Sequence, residues 1–207
     1  MIERFYPAND KVLNFKFVQN EEDFIVEEQA IKFSGAGSFL VLKVEKSNCD
    51  TWELIDRLAK FLNIYSNEIG YAGLKDKRAT TIQYMTIPKK YSKEIKLFKN
   101  KKITILDTFL HNAKLNIGDL EGNRFKINLH KVEIADVNHI QKIIKIISRD
   151  GMPNYFGYQR FGKDVVDNLA KAKDVVYGEE IVKDKKLSKM LIAAYQSSFF
   201  NAWLVER

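Results

Sequence analysis

The chain has 207 residues, 45% hydrophobic and 29% charged, which is enough apolar surface to bury a core and excludes a disordered tail. Its single cysteine and three scattered histidines exclude an internal disulfide and predict no structural metal, while the absence of a signal pattern or a long apolar run predicts a cytoplasmic, non-membrane protein. The net charge of +7 is concentrated in residues 74–102, which carry 10 basic and 2 acidic groups; this is typical of a phosphate-binding surface, although a solvated lysine-rich loop explains it equally well.

The first predicted elements are a strand pair and a helix. Two β-rich runs, 24–28 and 39–44, flank a segment of glycine and serine at 34–38, which predicts a hairpin. A capping-box spacing at Asp50 is followed by apolar residues at helical intervals. We therefore predict a helix over about 51–62, with Trp52 on its apolar face.

Further strands are predicted at 69–73 and 82–87, and the residues from 74 to 81 form a polar connection between them. Another strand is predicted near 103–106. Strict alternation of apolar and polar residues over 124–129 predicts a strand that carries Phe125 on one face.

The remainder of the chain is predicted to be helical. A helix over 136–149 ends at a glycine and a proline, and we place a domain boundary near residue 150. The last predicted helix, 188–207, has a broad aromatic face that requires a partner surface. Either a continuation of the chain or a second copy of it could supply that surface.

Asp76 is the first candidate for chemistry because it is the only acid among Lys75, Lys77 and Arg78 in the polar connection. Neighbouring positive charge favours the ionised carboxylate, which can act as a nucleophile or stabilise a cation. A solvated charged turn is the simpler interpretation of the same pattern.

Phe125 is the second candidate, since an aromatic ring at the start of a strand can stack on a nucleobase. A core position is the more common reason for such a residue. Asn123, two positions earlier, could bind a base edge, although Gly-Asn pairs also form ordinary turns.

Four segments together resemble the TruD-type tRNA pseudouridine synthases. In chain order they are DFIVEE (23–28), AGLKDKRATTIQ (72–83), GNRF (122–125) and PNYFGYQRFG (153–162). The resemblance runs from about residue 12 to residue 207 and covers the front part of the family's longer chain.

The resemblance implies an enzyme that isomerises a tRNA uridine, at position 13 in bacterial members, to pseudouridine without a cofactor or metal. Asp76 would be the catalytic aspartate, Phe24 and Asn123 would line the uridine site, and Phe125 would lie near the base. The basic residues expected to contact the RNA backbone are Lys75, Lys77, Arg78, Lys89 and Lys90.

The expected fold is α+β, with a mainly antiparallel sheet that resembles the pseudouridine synthase core. Residues 1–150 would form the N-terminal part of the catalytic domain, and residues 151–207 the helical start of an inserted domain. Because the rest of that domain is not in this sequence, we expect weak activity or none from the chain alone. The alternatives are a non-catalytic RNA-binding fragment and an assembly fragment that self-associates through the 188–207 helix.

Overall fold

The computed structural model describes residues 13–162 and 164–206, so the segment 1–4 examined for a signal pattern lies outside the described residues. Two compact units are formed, one from Phe15–Val132 and the other from residues 13–14 together with 133–206. The division falls between Val132 and Glu133, whereas the sequence placed a boundary near residue 150. The α+β class is confirmed.

Six strands among residues 15–132 form one sheet in the order β5-β2-β4-β1-β6, with β3 paired to part of β4. The strands are β1 (Phe24–Ala30), β2 (Phe39–Ser47), β3 (Gly70–Tyr71), β4 (Thr80–Pro88), β5 (Ile103–His111) and β6 (Leu120–Ile127). The β1 and β4 pair is parallel, and the other pairs are antiparallel. The expectation of a mainly antiparallel sheet is therefore confirmed.

The predicted hairpin between the first two strands is wrong. β4 lies between β1 and β2, pairing in parallel with β1 and in antiparallel register with all nine residues of β2. The intervening glycines serve another purpose: Gly37 has a φ of 131°, and a Cβ there would clash with the backbone of His111 at the end of β5. Long-range ladders with β4, β5 and β6 outweighed the local turn signal.

The first helix, α1 (Thr51–Leu62), has the predicted bounds. The Asp50 side chain accepts a hydrogen bond from the backbone N–H of Glu53 at 2.8 Å, which satisfies one of the free donors of the first turn. Asn63 adopts the left-handed conformation, with a φ of 53°, and ends the helix. Local signals were sufficient here.

The apolar face of α1 packs on one face of the sheet, but Trp52 is not part of it. The Trp52 side chain is 59% exposed and meets the ring of Tyr71 edge-on at 5.8 Å. Leu54 takes the expected place and is fully buried. The main core contains Leu42, Val44, Leu54, Ile55, Leu58, Met85, Ile87, Ile95 and Ile103.

The alternating face of β6 is open rather than buried. Phe125 is 55% exposed and Ile127 is 48% exposed, although Phe125 lies directly opposite the buried Val26 of β1. The interpretation of Phe125 as a core residue is therefore wrong within the part of the chain that the structure describes. The open end of the sheet face carries an exposed aromatic ring.

The second unit is helical. Its helices are α2 (Ile134–Asp150), α3 (Tyr158–Phe161), α4 (Val165–Tyr177) and α5 (Lys185–Glu206). Gly151, with a φ of 80°, ends α2 as predicted. Leu191 and Ala194 of α5 are buried, whereas Phe199 and Trp203 are more than half exposed. Within the described residues, no helix combines the length and apolar composition needed to cross a membrane.

Candidate functional site

Asp76 lies in the connection between β3 and β4. Its side chain is half-buried, and the following Lys77 and Arg78 are exposed. Among the residues that the structure describes, none forms a hydrogen bond or ion pair with the Asp76 carboxylate, whereas its backbone carbonyl accepts a hydrogen bond from Lys46 at 3.1 Å. The carboxylate is thus available to a ligand while the backbone that carries it is held in place.

Lys75 does not have the role expected of it. Its Nζ lies 2.5 Å from Oε2 of Glu28, and the two side chains are only 5% and 1% exposed. The other Glu28 oxygen accepts the backbone N–H of Tyr84 at 3.1 Å. A buried and paired ammonium cannot reach an RNA phosphate, so Lys75 instead ties the Asp76 connection to strand β1.

The connection is also tied to α1. The Thr51 hydroxyl accepts the backbone N–H of Lys75 at 2.9 Å and lies 3.2 Å from Oε1 of the buried Gln83 on β4. Thr51 is the first residue of α1, so the helix start, the connection and the sheet share one buried hydrogen-bond network.

Lys46 forms the other half of this network. It is 1% exposed, and its Nζ donates to the carbonyl of Cys49 at 2.6 Å and to that of Asp76 at 3.1 Å. Burial lowers the pKa of Lys46 from 10.5 to about 8, opposed by the nearby negative charges of the Asp50 and Asp76 carboxylates.

Sequence reasoning missed both Glu28 and Lys46 as parts of the site. Each continues an apolar face at a period of two: Glu28 follows Val26, and Lys46 follows Leu42 and Val44. A charged residue in phase with buried neighbours is a signal that could have identified them. This signal is useful only when it is known which face of the strand is covered by other elements.

The register between β1 and β6 brings three predicted residues onto the same sheet face. Phe125 lies opposite Val26, and Asn123 lies opposite Glu28, the partner of Lys75. The Phe24 and Phe125 rings stack with centroids 6.0 Å apart and an interplanar angle of 24°. Asn123 and Phe125 are both exposed, so an amide and an aromatic ring stand open beside the network that holds the Asp76 connection.

The basic segment presents its charge to solvent. Every lysine of residues 74–102 except Lys75 is exposed, including Lys77 and, at the end of β4, Lys89 and Lys90; Arg78 is exposed as well. Lys77 lies 3.7 Å from Glu53, and Lys90 lies over the ring of Tyr91 at 4.9 Å. Exposed cations of this density favour contact with a polyanion.

Asp76 lines neither of two clefts found among the described residues. One, of about 560 Å³, is formed by 95–108 in the sheet unit, and the other, of about 620 Å³, is formed by 154–160 and Phe200 in the helical unit. Across 13–162 and 164–206, no three His, Cys, Asp or Glu side chains cluster in a way that could hold a metal ion.

Comparison with known proteins identifies the family of this chain. A family model described as tRNA pseudouridine synthase D (TruD) matches residues 4–180, and the chain belongs to that family. It is 45% identical over 207 residues to the tRNA pseudouridine synthase D of Wolinella succinogenes and 42% identical over the same length to that of Nitratiruptor sp.. A crystal structure of a TruD protein from Methanosarcina mazei superimposes with a TM-score of 0.72 at 26% identity.

The chain spans about half the length of these proteins. All 207 residues match the two bacterial relatives, but they cover only 57% of the length of each. The superposition on the archaeal protein includes 96% of this chain and 48% of the archaeal chain.

Proposed function

We propose that the complete protein isomerises a uridine of tRNA to pseudouridine and that Asp76 is its catalytic carboxylate. The observation that carries this proposal is the arrangement around Asp76. Its carboxylate is unengaged among the described residues, and its backbone is held by Lys46. The neighbouring Lys75 forms an ion pair with Glu28 of β1, the strand whose Phe24 ring stacks on the exposed ring of Phe125.

The proposed reaction needs no external reactant. The N1–C1′ bond of the uridine breaks, the uracil turns over, and C5 forms a new bond to C1′ while N1 gains a proton and C5 loses one. An ionised Asp76 either attacks the ribose or stabilises the positive charge that develops at C1′. Phe24, Phe125 and Asn123 supply stacking and hydrogen bonding that hold the base while it is detached.

RNA binding is proposed to use the exposed cations of the basic segment. Lys77, Arg78, Lys89 and Lys90 would contact the phosphate backbone, and the target base would leave its stack before reaction. We also propose a cytoplasmic location, where such a substrate is found. We further propose position 13 of the tRNA as the target, as the family resemblance implies.

We retain the two-part organisation of the chain within this proposal. Residues 1–150 would belong to the catalytic domain and residues 151–207 to the start of an inserted domain. The 207-residue chain alone would then show weak turnover or none, and efficient turnover of tRNA by it would contradict that expectation.

The test uses the protein translated from the complete reading frame and a tRNA transcript containing 5-tritiated uridine, since C5 releases its tritium when the new bond forms. Asp76→Asn should reduce tritium release by at least about 1,000-fold while changing tRNA affinity little, because only the charge is removed. Glu94→Gln, an exposed acid in the same basic segment, is the matched control and should behave as wild type. Wild-type turnover by Asp76→Asn would refute the catalytic role.

The alternative of a non-catalytic RNA-binding chain is favoured only by the exposed lysines. It predicts tRNA binding without tritium release from the wild-type protein. A tRNA in which the uridine at position 13 is replaced by cytidine tests the target position. Tritium release from this tRNA should stop if position 13 is the modified site.

A further inference from the structure

We propose that Lys46 is a positioning residue: its buried ammonium fixes the backbone at Lys75 and Asp76 and thereby sets the direction of the Asp76 carboxylate. The inference rests on the proposed catalytic role of Asp76. Lys46 itself would touch neither the base nor the ribose.

The geometry of Lys46 joins two loops through one atom. Its Nζ lies 2.6 Å from the carbonyl oxygen of Cys49, in the loop after β2, and 3.1 Å from that of Asp76. The carbonyl of Lys75 lies at 3.5 Å. Three acceptors match the three N–H donors of an ammonium, so the loop that precedes α1 and the connection that carries Asp76 are held to the same strand end.

Stability alone does not explain a charge at this position. Within 13–162 and 164–206, no carboxylate forms an ion pair with Lys46, and its three contacts are to neutral carbonyls. A buried ammonium that forms no ion pair is unfavourable, and an apolar side chain in phase with Leu42 and Val44 would extend the core. The charge of Lys46 is best explained by the backbone carbonyls of Cys49 and Asp76 that its ammonium binds.

The other side chains that bind this connection, Thr51 and Glu28, do not contact Asp76 itself. Thr51 binds the N–H of Lys75, and Glu28 binds its ammonium, so both act one residue before Asp76. The Lys46 contact is made to the carbonyl of Asp76 itself. Misplacing a reacting group by about 1 Å can reduce a rate about 100-fold, so a loosened carbonyl would lower kcat while leaving RNA contacts intact.

Protonation of Lys46 should therefore govern activity at alkaline pH. The groups that face it are the Cys49 thiol and Asp50 from the loop, Lys75 and Asp76 from the connection, and, through Lys75, Glu28 from β1. A neutral amine has two N–H donors for three carbonyls, so the hold on the connection weakens as the proton is lost.

The experiment measures kcat, tRNA affinity and the pH profile of the full-length protein for Lys46→Met and Lys46→Arg. Lys46→Met should lower kcat by about 10- to 100-fold with tRNA affinity within twofold of wild type. Lys46→Arg keeps a permanent charge and several donors, so it should retain more activity and lack the decline that we expect of wild type near pH 8. Lys43→Met, the same substitution on the opposite face of β2, is the control.

The outcomes separate the two proposals. A folded Lys46→Met protein with wild-type kcat, or one that loses tRNA affinity in parallel with kcat, overturns the positioning role. If Lys46→Met does not fold, an alkaline decline unchanged in Lys46→Arg overturns it instead. An active Asp76→Asn protein would refute the proposed function, whereas an inactive Asp76→Asn with a fully active Lys46→Met refutes only the inference.

Discussion

Removing one partner of the Glu28 and Lys75 ion pair should destabilise the sheet unit strongly. In Glu28→Gln, the Lys75 ammonium would stay 5% exposed without its carboxylate, now 2.5 Å away. Losing one partner of a buried pair costs about 3–5 kcal/mol. For a unit of this size, we expect the melting temperature to fall by about 10 °C or more.

Urea unfolding of four proteins measures this effect: wild type, Glu28→Gln, Lys75→Met and the double variant. The double variant should recover at least about 1 kcal/mol of the summed losses, because neither charge is then buried alone. Asp56→Asn, which breaks the exposed pair with Lys60, is the control and should change stability by less than about 0.5 kcal/mol. Strict additivity, or a loss below about 1 kcal/mol in Glu28→Gln, would refute the burial argument.

The remaining predictions concern salt, pH and assembly. Replacing Lys89, Lys90 and Lys93 by Gln should reduce the slope of log affinity for tRNA against log salt by about 2 to 3, and an unchanged slope would place the RNA surface elsewhere. The pKa of Lys46 is about 8 in the folded chain and 10.5 as a reference, so the unfolded chain binds more protons between these pH values. The free energy of unfolding should therefore rise with pH in this range, by about 1 kcal/mol per pH unit relative to Lys46→Met. If urea titrations showed the stability difference between wild type and Lys46→Met falling with pH, they would contradict this. The alternative of an assembly fragment predicts self-association through the exposed aromatic face of α5, seen in sedimentation as a mass that rises with concentration, and a strictly monomeric chain would exclude that alternative.

The elements that sequence reasoning predicted well have short-range causes. The α1 helix is capped by Asp50 at its start and by Asn63 at its end, through hydrogen bonds that span three or four residues. The position of Asp76 between two strands follows from local composition. Its family motif is equally local, since the segment around Asp76 is contiguous in the chain.

The predictions that failed involve distant partners. The hairpin failed because β4, which is distant in the chain from both strands, lies between β1 and β2. Lys75 was predicted to contact RNA with the other cations of the basic segment. Its ion pair with Glu28, a residue far away in the sequence, could not be seen from its neighbours in the chain. Trp52 was placed in the core because helical spacing does not say how far the sheet extends under the helix.

By itself, the sequence determined the class of fold, the family and the residue types available for chemistry, since these depend on composition, periodicity and contiguous motifs. Tertiary structure alone decided that Glu28, Lys46 and Lys75 are buried and that Asn123 and Phe125 remain open. The physical reason is that burial of a strand residue depends on register and on which element covers each face. Both are settled by pairing between segments far apart in the chain.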